Sequence, residues 1–162
     1  MACKRCEFNY ERSNISTHKQ GIDAIIFADL LARLKIARPD TTHATRTQPA
    51  SWWAFSAERA GFGLGWTFGR DVLRIDLWID LGEKNETKEI FDRLQEQQLA
   101  IEDEIGTSLN WDRLNTGRGC HISLAKPAKI TDPPENLEEA KQWAIATMVK
   151  FIDALQPRIK NL

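Results

Sequence analysis

At 162 residues the chain is long enough to bury a hydrophobic core of its own, and its 42% hydrophobic and 28% charged residues exclude a disordered polypeptide. A formal net charge of −1 excludes the strong basic excess of a dedicated nucleic-acid-coating protein, but the charge is uneven: +3 over residues 1–50, −6 over 51–110 and +2 over 111–162. No apolar run approaches the roughly 20 residues that a membrane span requires.

Residues 1–10 are charged and lack the apolar stretch of a signal peptide, and three cysteines make no disulfide framework. Both features point to a cytoplasmic protein. Residues 1–20 show little periodicity and are expected to form a loose arm, with one α+β domain over 21–162. From Ile22 the pattern becomes helical: Ile22, Ile25, Ile26, Leu30 and Leu34 recur on one stripe, widened by Phe27 and Leu31. Pro39 closes this helix, and a polar loop follows.

Period-two alternation then dominates. Phe62, Leu64, Trp66 and Phe68 alternate with Gly61, Gly63, Gly65 and Thr67; Leu73, Ile75, Leu77, Ile79 and Leu81 alternate with Val72, Arg74, Asp76, Trp78 and Asp80. This is a β-hairpin. Both apolar sets face one core only if the connecting loop has an even number of residues. A Gly69-Arg70 loop pairs Trp66 with Leu73, and an Arg70-Asp71 loop pairs Trp66 with Ile75. Glycine at the first loop position suits a type II′ turn, so the former is the expected register. It sets Gly61, Gly63 and Gly65 opposite Trp78, Asp76 and Arg74, a shallow trough on the outer face. Glycine within a strand often marks close approach by a ligand or by another backbone; otherwise Trp78 and the stem of Arg74 fold over the glycines, or a helix covers them.

A second helix carries Ile90, Phe91, Leu94, Ile101 and Ile105, with Gly106 placed as its C′ residue. Glu102, Asp103 and Glu104 oppose the dipole at its end and call for a basic partner within the chain. The segments 109–111 and 120–124 read as two strands joined by a turn at 115–119. After Pro133-Pro134 a third helix begins, capped by Asn136 with Glu139 and ended by Pro157. The expected fold is therefore α+β in the order α-β-β-α-β-β-α: a mainly antiparallel sheet of about four to five strands under three helices. The pattern leaves the type of the segment at 52–55 open.

Few of the chemistry-bearing residues make a catalytic pattern. Cys3-Lys4-Arg5-Cys6 has the spacing of a zinc knuckle or redox pair, but no second cysteine pair exists and no strand precedes it. Asp76 and Asp80 are about 13 Å apart at strand rise, too far to share one ion. The series Asp76-Leu77-Trp78 has tryptophan where a PD-(D/E)xK nuclease needs lysine, and no phosphate-binding loop is present. No catalytic residue, metal or cofactor is expected. Of the six tryptophans, Trp66 and Trp143 are expected in the core. Trp78, with Arg74 beside it, could stack on a base or ring. Arg113, after Trp111, and Arg118 in the glycine turn could meet phosphate or carboxylate.

The runs 74–79 (RIDLWI) and 90–94 (IFDRL), then Ile101-Glu102, Gly106, Leu109-Asn-Trp111, the strand ending at Ile122, and the stretch from Lys150-Phe151 to Pro157-Arg158-Ile159 resemble domain-of-unknown-function family 4268, a bacterial family. The resemblance spans about residues 25–162. It implies a domain that often stands C-terminal to nuclease-like parts, near genome-defence systems. Cys3 and Cys6 are not part of that pattern, and no nuclease-like segment is expected in these 162 residues, so nuclease activity does not carry over. The leading expectation is a non-catalytic binding module in nucleic-acid transactions or beside a nuclease, with Arg74, Asp76, Trp78, Trp111, Arg113, Arg118 and His121 as candidate contacts. A homodimer through the glycine face, or a small metal-dependent hydrolase using Asp76, Asp80 and His121, are the alternatives.

Overall fold

A computed structural model describes the backbone of residues 4–47 and 50–162, and the side chains from residue 21 onward within those ranges. Cys3 and the Cys6 side chain lie outside the described residues. The elements run α1 (Lys4–Ala37), β1 (Trp52–Ser56), β2 (Phe62–Phe68), β3 (Val72–Ile79), α2 (Lys84–Gln95), α3 (Gln98–Ile105), β4 (Asn110–Asp112), β5 (Cys120–Pro127) and α4 (Pro134–Lys160). The fold is α+β, with one antiparallel five-stranded sheet in the order β1-β2-β3-β5-β4. No described helix is long and apolar enough to cross a membrane.

The expected helix count and element order are corrected. The described residues form four helices rather than three, and the segment at 52–56 is a strand that precedes the hairpin. The second helix breaks at Glu96-Gln97, where Gln97 N–H bonds to the Leu94 carbonyl in a tighter turn before α3 starts. Periodicity could not reveal the break, because Leu94 and Ile101 lie seven residues apart and keep one face across it. Helix α1 also begins at Lys4, so helical backbone runs through the stretch expected to be a loose arm.

The expected hairpin register is corrected by one step. Trp66 pairs with Ile75 and Phe68 with Leu73, leaving Arg70-Asp71 as the loop. Gly69 joins the ladder instead, its N–H donating to the Val72 carbonyl at 2.9 Å. None of Gly69, Arg70 and Asp71 has positive φ, so no type II′ turn forms. The loop stays even, and every apolar residue keeps the face that alternation assigned it. Trp53 stacks on Trp66 with ring centroids 5.6 Å apart, and Leu64, Leu77 and Ile122 continue the buried layer.

All four helices serve this one layer. Helix α4 lies against β3 with α1 and α3 beside it, and α2 packs near β5. Phe27, Leu30 and Leu34 from α1, Phe91 and Leu94 from α2, Ile101 from α3, and Met148, Phe151 and Leu155 from α4 join the strands' inner residues in one core. Polar ties hold the helices together. Arg33 donates to both carboxylate oxygens of Glu138 at 2.6 and 2.8 Å, and Lys141 reaches Asp29 at 2.7 Å. The acidic end of α3 finds its basic partners as expected: Arg158 clamps Glu104 at 2.7 and 2.9 Å, and Lys150 caps the Ile105 carbonyl at 3.0 Å. Gly106 closes α3 with φ +86°.

Helix α4 differs from expectation at both ends. It starts on Pro133 and Pro134 with no side-chain cap, because proline at the first position lacks a donor that would be orphaned anyway. Glu139 bonds to Lys126 instead of capping. Pro157 removes one helical donor, yet the helix continues to Lys160, carried by the fully buried Ile159 in its last turn.

Candidate functional site

The register generates the site. Cross-strand partners share a face, so three successive rows on the outer side of the sheet make the site. The first row is Trp52–Thr67–Arg74–Ala125, the middle row Ala54–Gly65–Asp76–Ser123–Asn110, and the third Ser56–Gly63–Trp78–His121–Asp112. The middle row is made of small or short side chains. The rows beside it carry Trp52 and Arg74 on one side, Trp78 and His121 on the other. A trough follows, with a volume of about 400 Å³. Strand residues alone line it. The outward residues at its corners remain open to solvent: Trp52 is 53% exposed and Trp78 38%.

The glycines do not share one purpose. Gly65 is required by another backbone, since a Cβ there would come within 2.5 Å of the Trp53 carbonyl oxygen. Gly61 is required by its φ of +86°. Gly63 has neither constraint. Trp78 does not fold over this floor. Its indole lies on Gly119, where a Cβ would overlap the ring, and it meets His121 edge-on at 4.5 Å between centroids.

Asp76 organises the polar end. Thr67 Oγ1 and Arg74 Nε each donate to its Oδ2 at 3.0 Å; Oδ1 lies 2.8 Å from Arg74 Nε and 3.5 Å from His121 Nδ1. Burial pushes the Asp76 carboxyl up. The hydrogen bonds from His121, Arg74 and Thr67, together with the Arg74 charge, outweigh that and hold it below the ordinary aspartate value. The ionised carboxylate thus fixes the Arg74 guanidinium, with the His121 ring beside it. No hydroxyl or thiol among the described residues hydrogen-bonds His121.

Four of the seven sequence candidates therefore converge: Arg74, Asp76, Trp78 and His121. Three do not. Trp111 pairs with Ile122, which puts it on the core side; its indole donates to Glu102 at 3.0 Å and its ring packs on Phe91. Arg113 spends its fork on Asp92 at 2.8 and 2.9 Å, and Arg118 spends its own on Asp80 at 2.7 and 2.8 Å. These pairs lower the pKa of both carboxylates and raise that of both arginines. Asp80 is thereby separated from Asp76 and His121, and the described residues contain no group of three or more His, Cys, Asp or Glu able to hold a metal ion.

Arg74 differs from the other two arginines. Asp76 holds it through Nε alone, and neither Nη hydrogen-bonds a described residue. Its side chain is 39% exposed.

Sequence reasoning missed Trp52, Thr67 and Lys88. Thr67 was readable from strand parity, since it falls with the outward set, whereas Trp52 sits in a segment whose type the sequence left open. Lys88 gave no local signal. It sits in α2, is buried, and donates to the carbonyls of Arg113, Leu114 and Gly119 as well as to Cys120 Sγ at 3.4 Å. It thus anchors the backbone on which Trp78 rests. Burial raises the Cys120 thiol pKa despite this ammonium.

No curated protein and no solved structure matches the chain. A family model described as a domain of unknown function, DUF4268, matches residues 27–159, a range that holds every strand and all the residues of the trough. The chain belongs to the DUF4268 family.

Proposed function

We propose that this domain is a non-catalytic binding module acting in nucleic-acid transactions, with the uncovered face of the sheet as its ligand surface. The observation that carries this reading is Arg74, a guanidinium pre-oriented by a buried carboxylate, with both Nη groups unspent, at the edge of an apolar trough flanked by exposed indoles. A fixed fork suits phosphate, and exposed aromatic faces suit bases. Among the described residues no hydroxyl or thiol hydrogen-bonds His121, which favours binding over covalent chemistry.

Fluorescence anisotropy with labelled single- and double-stranded DNA and RNA at low salt tests the reading. We expect salt-dependent binding to at least one form, weakened about tenfold, or ~1.4 kcal/mol, by Arg74→Ala. Absence of binding to all four forms at low salt would remove it. A second reading, a homodimer through the same face, draws on the free edge of β1 beside exposed Trp52. Light scattering of a monomer at high concentration would count against that alternative.

A further inference from the structure

The dimensions and charge of the trough identify which form of nucleic acid it fits. Neighbouring strands lie about 4.8 Å apart and alternate residues about 6.7 Å apart, so Trp52 and Trp78, two strands and four residues removed, stand on a diagonal of about 16 Å. The Trp78 indole rests against Gly119 and His121 rather than over the glycines. The Ala54–Gly65 floor between the two tryptophans is therefore open, and the trough's volume of about 400 Å³ accommodates a single nucleotide unit.

Charge narrows the choice further. The trough presents one guanidinium, Arg74, which is paired with Asp76 through Nε but whose Nη edge bonds no described residue, leaving room for the oxygens of one phosphodiester. A free mononucleotide carries a doubly charged phosphate, which proteins take up on exposed backbone N–H groups at helix starts or nests. Only strand residues line this trough, so such groups are missing from its lining. A duplex keeps its bases stacked away from any indole and demands a field of cations. The net charge of −6 over residues 51–110 supplies the opposite.

We propose that the outer face binds one unstacked nucleotide within a single strand, its base on the glycine floor between Trp52 and Trp78 and its phosphodiester on the Arg74 Nη edge. Asp76 acts as a positioning residue that aims Arg74. The inference rests on the nucleic-acid reading above and deepens it.

The test is a titration of the full chain with a short oligothymidylate, with a duplex of equal length and with 5′-thymidylate, followed by tryptophan fluorescence. We expect quenching by the single strand, with a slope of log K against log salt of about −0.7, the value for one phosphate contact on a single strand. The duplex and the free mononucleotide should each bind at least about tenfold more weakly. Trp78→Ala, which alters a partly exposed side chain and leaves the core intact, should abolish most of the quenching; Trp78→Phe should retain binding. Equal or tighter binding of the duplex, or a salt slope of several, would overturn the single-nucleotide trough while leaving a nucleic-acid role standing. Equal binding of 5′-thymidylate would overturn the strand assignment. Binding of none of the three would overturn both readings.

Discussion

A Cβ added at Gly65 would lie 2.5 Å from the Trp53 carbonyl oxygen and 2.8 Å from the Ala54 Cβ, whereas at Gly63 the nearest atom is 3.8 Å away. Backbone atoms of β1 cannot give way without breaking the ladder. Gly65→Ala should therefore cost about 1–3 kcal/mol in urea denaturation, and Gly63→Ala should stay within about 0.5 kcal/mol. Equal effects at the two sites would contradict this placement of β1. At this scale the sequence is readable where the controlling contact is local. Alternation alone put Arg74, Asp76 and Trp78 on the outward face, and His121 joins them directly opposite Trp78. The roles of Arg113 and Arg118 were not readable, since the carboxylates that occupy them, Asp92 and Asp80, are 21 and 38 residues away in the chain. Trp111 failed for a related reason: its burial depends on α3, through Glu102 and on α2, through Phe91.

Between elements, the same division between local and distant causes recurs. Parity of the hairpin loop was legible, because one core must collect both apolar sets; the offset was not, because an open Arg70-Asp71 connection needs no residue of positive φ to announce it. The pairing of β5 with β3 is also nonlocal, and it completes the site by bringing His121 beside Trp78. Lys88 joins α2 to the β4–β5 connection through three backbone carbonyls, one of them Gly119. Lys88→Met removes the only ammonium there and strands those acceptors. We expect a loss of about 2–4 kcal/mol in chemical denaturation, with a blue or red shift of tryptophan emission as Trp78 loses its bed. A loss below about 1 kcal/mol with unchanged emission would mean that water replaces the ammonium without cost.

Among the described residues, helices pack against one side of the sheet and strands alone line the trough on the other. Such asymmetry follows from the alternation of the hairpin, in which one set is apolar and the other is glycine, threonine, arginine, aspartate and tryptophan. A bare face with two exposed indoles and one aimed guanidinium is a poor stabilising device and a good recognition surface. On this reading the trough face, rather than the arginine-bearing 113–119 loop, meets the ligand. Its most direct test is a ¹⁵N-resolved NMR titration with an oligothymidylate, in which each tryptophan indole N–H reports separately. We expect the Trp52 and Trp78 indoles and the Arg74 Nε to shift together at low ligand ratios, while the buried Trp53 and Trp66 stay fixed. Shifts confined to Arg113, Arg118 and the 113–119 backbone, with the Trp52 and Trp78 indoles unmoved, would contradict it.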